Sequence, residues 1–347
     1  MPIKSIIDHG IVGCLPTGTR SDNILTAVDL QRNMLNSIVE QIDHSFFTND
    51  NLVFNTTHLN VVIGPNRPLD EFANYIRSNN KIDNVFLISL IDNINDPFEI
   101  IIHNRKLNVI QIGYINNEKY KDYYVPVISI LIKYLFENYN ETDILLDTED
   151  PVKYLCYQNK PHFHRQMLTH KLIKSNLLGK GTVTLNQGDY KFSNLYTLSS
   201  KDEPEDLSKE DTFTLGPMST WKKCFLNVIS ENNLINKYFI TEKTYKPILG
   251  LRPFILFGNP SILKYLEGAG FYTFEEYWNV NFREQTTEEE IANATVTVID
   301  QICQMTSTEI LNLYKEMLPK LMHNRNRFFE HANEQENKIY SLFRKNV

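Results

Sequence analysis

Cysteine is scarce. Cys14, Cys156, Cys224 and Cys303 are the only four in 347 residues, too far apart for a disulfide framework or a paired-cysteine zinc site. A reducing, cytoplasmic setting is therefore expected. Long apolar runs are also missing. The stretch from Met1 to Gly18 has no continuous hydrophobic segment, and the most apolar run, Tyr123 to Phe136, is interrupted by Lys133 and too short to span a bilayer. Neither a secretion signal nor stable membrane insertion is expected. Basic residues are not in excess: 35 Lys and Arg stand against 42 Asp and Glu, and the formal net charge of −7 gives no global attraction for nucleic acid. The cluster Lys171, Lys174 and Lys180 is small. No Asp-x-Asp pair occurs, and Asp147-Thr148-Glu149 reads as linker acids, so no metal site is expected. Internal repeats and long low-complexity segments are absent. The acidic run Ser200 to Thr212 lacks any apolar face and reads as a solvated loop.

What remains is an ordinary globular composition, 42% apolar and 22% charged, on a chain longer than one core usually supports. The first 150 residues carry a candidate helix from Asn23 to His44 and three β-branched runs, Leu59 to Gly64, Asn84 to Ile91 and Leu107 to Gly113. A polar, aromatic-spotted helix from Leu69 to Asn79 separates the first two runs. This alternation predicts a first α/β domain over residues 1–150. A second domain, 151–305, opens with the strand Lys153 to Tyr157, the loop Gln158 to Arg165 and an amphipathic helix from Arg165 to Leu178. A strand at Thr182 to Leu185 follows. A C-terminal helical segment, 306–347, begins at a capping box of Thr306 and Glu309, with Pro319 expected to kink it.

The richest stretch is Cys224 to Gly258, CFLNVISENNLINKYFITEKTYKPILGLRPFILFG. It reads as a strand, a polar turn, the cluster Thr241-Glu242-Lys243, a short helix and a second buried strand. Strand-loop-helix units put backbone N–H donors at the carboxyl edge of a parallel sheet, where α/β proteins bind phosphorylated ligands. A lysine in the first helical turn suits a diphosphate, and a carboxylate beside it can accept sugar hydroxyls. Without its neighbours, a Glu-Lys pair at a helix start is an ordinary surface feature.

The wider pattern adds to it. Phe225, Ser230-Glu231-Asn232, Tyr238, Ile240-Thr241-Glu242-Lys243, Gly250, Pro253 and Phe257-Gly258 together resemble the donor-binding motif of the α1,3-fucosyltransferases. In that family a strand ends in Phe-Glu-Asn, then come Asp-Tyr-x-Thr-Glu-Lys, a helix, Ala-Gly-x-x-Pro and a strand ending in Gly. The resemblance implies a GT-B architecture: two Rossmann-like domains facing a cleft, with a nucleotide sugar held mainly by the second and the C-terminal helix crossing back towards the first; an oligomer or partner contact is the alternative for that helix. It implies Lys243 on the diphosphate, Glu242 on a donor hydroxyl, Thr241 within the donor site, and Glu231, Asn232 and Tyr238 around ribose and sugar. Arg165, at a strand-to-helix turn, stands where the family places a phosphate-binding arginine, and Arg can bridge two phosphate oxygens. His162 and His164 are possible further phosphate donors. The chain departs from the family at Ile229-Ser230, Lys237 and Leu251-Arg252. The segments from Thr241 to Ile248 and from Pro253 to Trp278 also look like uncharacterised phage and giant-virus glycosyltransferases.

The expected activity is inverting, metal-independent transfer from a GDP- or UDP-sugar, used as co-substrate with no separate cofactor. The acceptor is a glycan or a hydroxymethylated base in phage DNA. Arg165, Lys243 and helix N-termini would neutralise the leaving diphosphate. Asp92, closing the strand that starts at Asn84, is the candidate general base. Two other classes stay open at this level: a non-catalytic nucleotide-sugar binder and a structural virion protein on the same fold.

Overall fold

The computed structural model describes five segments of the N-terminal part, residues 6–8, 51–56, 84–89, 98–102 and 105–112, and most of the chain from 125 to 345. Within the latter range, residues 137–138, 159–160, 186–214, 233 and 236–239 fall outside the description. The chain divides into two compact units. One comprises Met1–Leu135 with His331–Val347, and the other Phe136–Glu330.

In the first unit five strands form one sheet in the order β1-β2-β3-β5-β4. They are β1 (Ile6–Asp8), β2 (Asn51–Thr56), β3 (Asn84–Ser89), β4 (Phe98–Ile102) and β5 (Arg105–Ile112). The pairs β1–β2, β2–β3 and β3–β5 are parallel, with Val53 opposite Phe86 and Phe86 opposite Ile110. Only β4 runs antiparallel, returning on β5 with Phe98 opposite Val109. The β-branched runs at 84 and 107 become β3 and β5, as their composition predicts. The run Leu59 to Gly64 and the candidate helices at 23–44 and 69–79 lie outside the described residues. Three strands escaped the sequence reading: β1, which has three residues, β2, which precedes the run expected at Leu59 to Gly64, and β4, whose run is broken by Glu99.

The helix α1 (Val127–Phe136) accounts for the most apolar run. In the second unit come α2 (Glu141–Ile144), β6 (Val152–Tyr157), α3 (Phe163–Lys174), β7 (Thr182–Thr184), α4 (Met218–Lys223) and β8 (Cys224–Ser230). They are followed by α5 (Glu242–Leu249), β9 (Phe254–Phe257), α6 (Ser261–Gly268), α7 (Glu288–Gln304) and, up to Glu330, α8 (Ser307–Lys345). The four strands of this unit form an entirely parallel sheet, β7-β6-β8-β9. All seven residues of β8 and all four of β9 are buried. A parallel strand covered on both faces reads as a continuous apolar run, which is why these two strands are so plain in the sequence. Helix α7 packs on α3, β9 and β6, and α5 packs on β8.

Arg252 is one of the charged groups buried in this unit. Arg252 is 1% exposed and donates to the carbonyls of Cys224, Ile144, Gly250, Leu251 and Trp221. Its guanidinium also lies 5.7 Å from the ring centres of both Trp221 and Tyr314. The planar fork thus collects carbonyls where α4 and α5 end, groups a helix terminus leaves without partners. Leu251, at φ 53°, turns the chain through the left-handed region to bring Arg252 inward. Gly250 is required by packing: a Cβ there would stand 2.2 Å from the Trp221 ring.

Helix starts are chemically marked. Thr287 and Glu290 form a reciprocal capping box on α7. The Thr306 hydroxyl accepts from the Glu309 N–H, and Glu309 accepts from the Thr306 N–H at 2.7 Å, as predicted for the last helix. That helix continues past Pro319 to Lys345, and residues from His331 onward group with the first unit. Cys156, Cys224 and Cys303 are free thiols. Among the described residues, no helix is long and apolar enough to cross a membrane, and no group of three His, Cys, Asp or Glu is placed to hold a metal ion.

Candidate functional site

Strands β6 and β8 are neighbours and parallel, so their carboxyl ends, Tyr157 and Ser230, share one edge of the sheet. The chain leaves β6 for α3 and β8 for α5, and both helices therefore begin at that edge. Their first turns carry His164, Arg165, Glu242 and Lys243. The site is assembled from these two starts and from the residues that end β8.

The helix α3 begins at Phe163, two residues before the sequence reading placed it, so Arg165 lies within its first turn. Arg165 is 2% exposed. Its Nη2 donates to the Ser230 carbonyl at 3.1 Å and to Asn232 Oδ1 at 2.8 Å. Burial lowers its pKa, opposed by the charge of Glu231. His164 is buried beside it and bonds the Glu231 carbonyl at 3.1 Å through Nε2. A carbonyl only accepts, so Nε2 carries the proton. Burial, with the Arg165 charge next, pushes the His164 pKa down to about 4, which leaves a neutral imidazole at neutral pH. His162 is exposed, and its ring stacks on that of His164 at 5.7 Å.

Glu231 is the hub. It is fully buried, and its backbone N–H extends β8 by donating to the Phe257 carbonyl at 3.0 Å. Its Oε1 accepts from the Thr241 N–H at 3.1 Å, the Thr241 hydroxyl at 3.0 Å and the Thr244 hydroxyl at 2.7 Å. The resemblance implied a place beside ribose or sugar for this carboxylate. In the structure it is engaged with the start of α5 and clamps that helix onto β8. Gly258 lets it pass, since a Cβ on Gly258 would stand 3.1 Å from Glu231 Cβ.

Thr241 is the N-cap of α5, its hydroxyl accepting from the Lys243 N–H. Lys243 is half-buried, and its Nζ donates to Glu242 Oε1 at 2.6 Å. The two adjacent carboxylates titrate in opposite directions. Burial raises the pKa of Glu231, the Lys243 charge opposing and the Glu242 charge adding to it. For Glu242 burial also acts upward, but Lys243 and Lys246 outweigh it and the pKa is lowered.

Arg165, His164, Glu231, Asn232, Thr241, Glu242 and Lys243 therefore come together at one sheet edge. Tyr238 and Asp92 lie outside the described residues. Thr244 was not anticipated; its signal was its spacing, one helical turn after Thr241. Gln158, just past the end of β6, and Ser230, which ends β8, were quoted in the loop and the motif but given no role, although their position marks them. A separate open cleft of about 570 Å³ is lined by Glu267, Thr273, Glu275, Glu276, Trp278 and Arg283, among others, and includes none of the candidate residues.

No family model, no curated protein and no solved structure matches this chain.

Proposed function

We propose that this protein is a GT-B glycosyltransferase that uses a nucleoside-diphosphate sugar, with its donor site at the carboxyl edge of β6 and β8. The observation that carries this reading is the convergence of Arg165, Lys243 and the α5 N-terminus around the buried Glu231. Two cations face two carboxylates there. Glu231 is turned inward and its oxygens are taken up by Thr241 and Thr244, which leaves Arg165, Lys243 and the first-turn N–H groups of α5 to meet an anion. Such a cluster suits a diphosphate better than it suits a cation or an apolar ligand.

In the proposed reaction the acceptor hydroxyl attacks the anomeric carbon, its oxygen forms the new glycosidic bond, and the sugar–phosphate bond breaks. The electron pair leaves with the nucleoside diphosphate, whose developing charge Arg165 and Lys243 stabilise. The acceptor proton passes to a carboxylate of the first unit, for which Asp92 is the proposal. Lys243 is poised for its role: half-exposed, it can exchange Glu242 for phosphate oxygens without unfolding α5. The net charge of −7 favours a glycan acceptor over DNA.

A thermal-shift panel with GDP, UDP, CDP and ADP tests the site. A ligand at 100 times its Kd stabilises the fold by about 2.7 kcal/mol, and no response to any of the four sinks the reading. Turnover of the matching nucleotide sugar then separates an enzyme from a binding protein.

A further inference from the structure

Buried polar atoms are almost always hydrogen-bonded, and the exceptions at this sheet edge include Gln158 and Ser230. Ser230 is 1% exposed and Gln158 3%, and among the described residues neither Ser230 Oγ nor Gln158 Oε1 has a partner. The β6–β8 register pairs Leu155 with Asn227; carried on three residues, past the end of β6, the same offset brings Gln158 level with Ser230. Paired residues of parallel strands project from the same face of the sheet. Arg165 is close to both: its Nη2 holds the Ser230 carbonyl, and its charge acts on Cys156, the thiol to which the other end of the Gln158 amide donates at 3.0 Å.

Two orphaned atoms on adjacent strands, beside a buried guanidinium, describe a position with a defined chemistry. A phosphate oxygen only accepts at neutral pH, so it cannot satisfy an amide oxygen. A hydroxyl both donates and accepts, and it satisfies the Gln158 amide and the Ser230 hydroxyl together. We propose that Gln158 and Ser230 are specificity-determining residues that bind a sugar hydroxyl of the ligand whose diphosphate lies on Arg165 and Lys243. This rests on the donor-site reading above and adds to it the group that tells a nucleotide sugar from a bare diphosphate.

The experiment measures binding of GDP, UDP, GDP-mannose, UDP-glucose and inorganic pyrophosphate to the parent protein, Ser230→Ala and Gln158→Met by calorimetry, with melting of the unliganded proteins alongside. Each variant is expected to bind the nucleotide ligands roughly three- to tenfold more weakly, the worth of one neutral hydrogen bond, and pyrophosphate as the parent does. Ser230→Ala should melt no lower than the parent, since it removes only an unsatisfied hydroxyl. A loss seen with UDP or GDP places the hydroxyl on ribose; a loss confined to the sugar esters places it on the transferred sugar. Either supports the proposal. Parent-like affinity of both variants for every nucleotide ligand overturns it and means that a buried water fills the position. Equal weakening for pyrophosphate also overturns it, by assigning the pair to phosphate. Failure of the parent to bind any of the five sinks the donor-site reading itself, and this proposal with it.

Discussion

Glu231 and Thr241, ten residues apart, are bound to each other through three contacts: the Thr241 N–H reaches Oε1 at 3.1 Å, and its hydroxyl reaches Oε1 at 3.0 Å and Oε2 at 2.8 Å. The last residue of a strand edge thus fixes the first turn of the following helix. Everything that helix presents, Glu242 and Lys243 above all, is placed by a carboxylate that faces inward. Glu231→Ala should therefore cost about 1–3 kcal/mol of stability, the scale of leaving buried donors unsatisfied, and weaken nucleotide binding as well. Urea unfolding checks the first and calorimetry the second; a stable variant with parent-like binding would remove Glu231 from its role as clamp.

Lys243→Ala should still fold but lose some stability, because the half-exposed lysine is the ion-pair partner of Glu242, a carboxylate only 8% exposed. Nucleoside-diphosphate affinity should fall by roughly 1.5–3 kcal/mol, the worth of a hydrogen bond to a charged group. Arg165→Ala should lose at least as much affinity and also stability, since Arg165 holds the Ser230 carbonyl. Unchanged affinity in a folded Lys243→Ala protein would contradict the site.

His164 gives the fold a pH dependence of predictable sign. Its pKa is depressed to about 4 from an ordinary 6.5, so between these values the unfolded chain binds the proton more readily than the folded one. Stability from His164 is present above pH 6.5 and is lost as pH falls towards 4. Glu231, with a raised pKa, works in the opposite direction, so the comparison must isolate His164. His164→Gln, which keeps a donor for the Glu231 carbonyl, should show a shallower fall in stability from pH 6.5 to 4 than the parent. Parallel pH curves for the two would contradict this assignment.

Arg252→Met should be among the most damaging substitutions in the second unit, costing upwards of about 3 kcal/mol, because several buried carbonyls lose their donor together. Gly250→Ala should cost about 1–3 kcal/mol through the clash with Trp221, the usual scale of overpacking. Thermal unfolding of both variants checks the pair. Neither position belongs to the donor cluster, so variants that remain folded should keep nucleotide affinity.

Asp92→Asn should retain nucleotide-sugar binding and lose transfer. Binding by calorimetry and transfer by product analysis separate the two effects, and full transfer activity would exclude Asp92 as the base.

The sequence by itself determined the elements whose chemistry is local. Buried parallel strands need continuous apolar residues, so β3, β5, β8 and β9 are visible as runs; helix starts need a cap, so Thr241 and Thr306 announce α5 and α8. It also singled out the residues that meet at the sheet edge, because strand ends and helix starts hold positions that a pattern records. Only the tertiary structure decided what those residues do for one another. That Glu231 faces α5, that His164 is spent on a backbone carbonyl, and that Arg252 gathers carbonyls from Ile144 to Leu251 all depend on contacts between segments up to 108 residues apart. The orphaned pair Gln158 and Ser230 is the same kind of fact. Each is an ordinary polar residue in the chain, and burial on adjacent strands, a property of the sheet, is what leaves both without a partner.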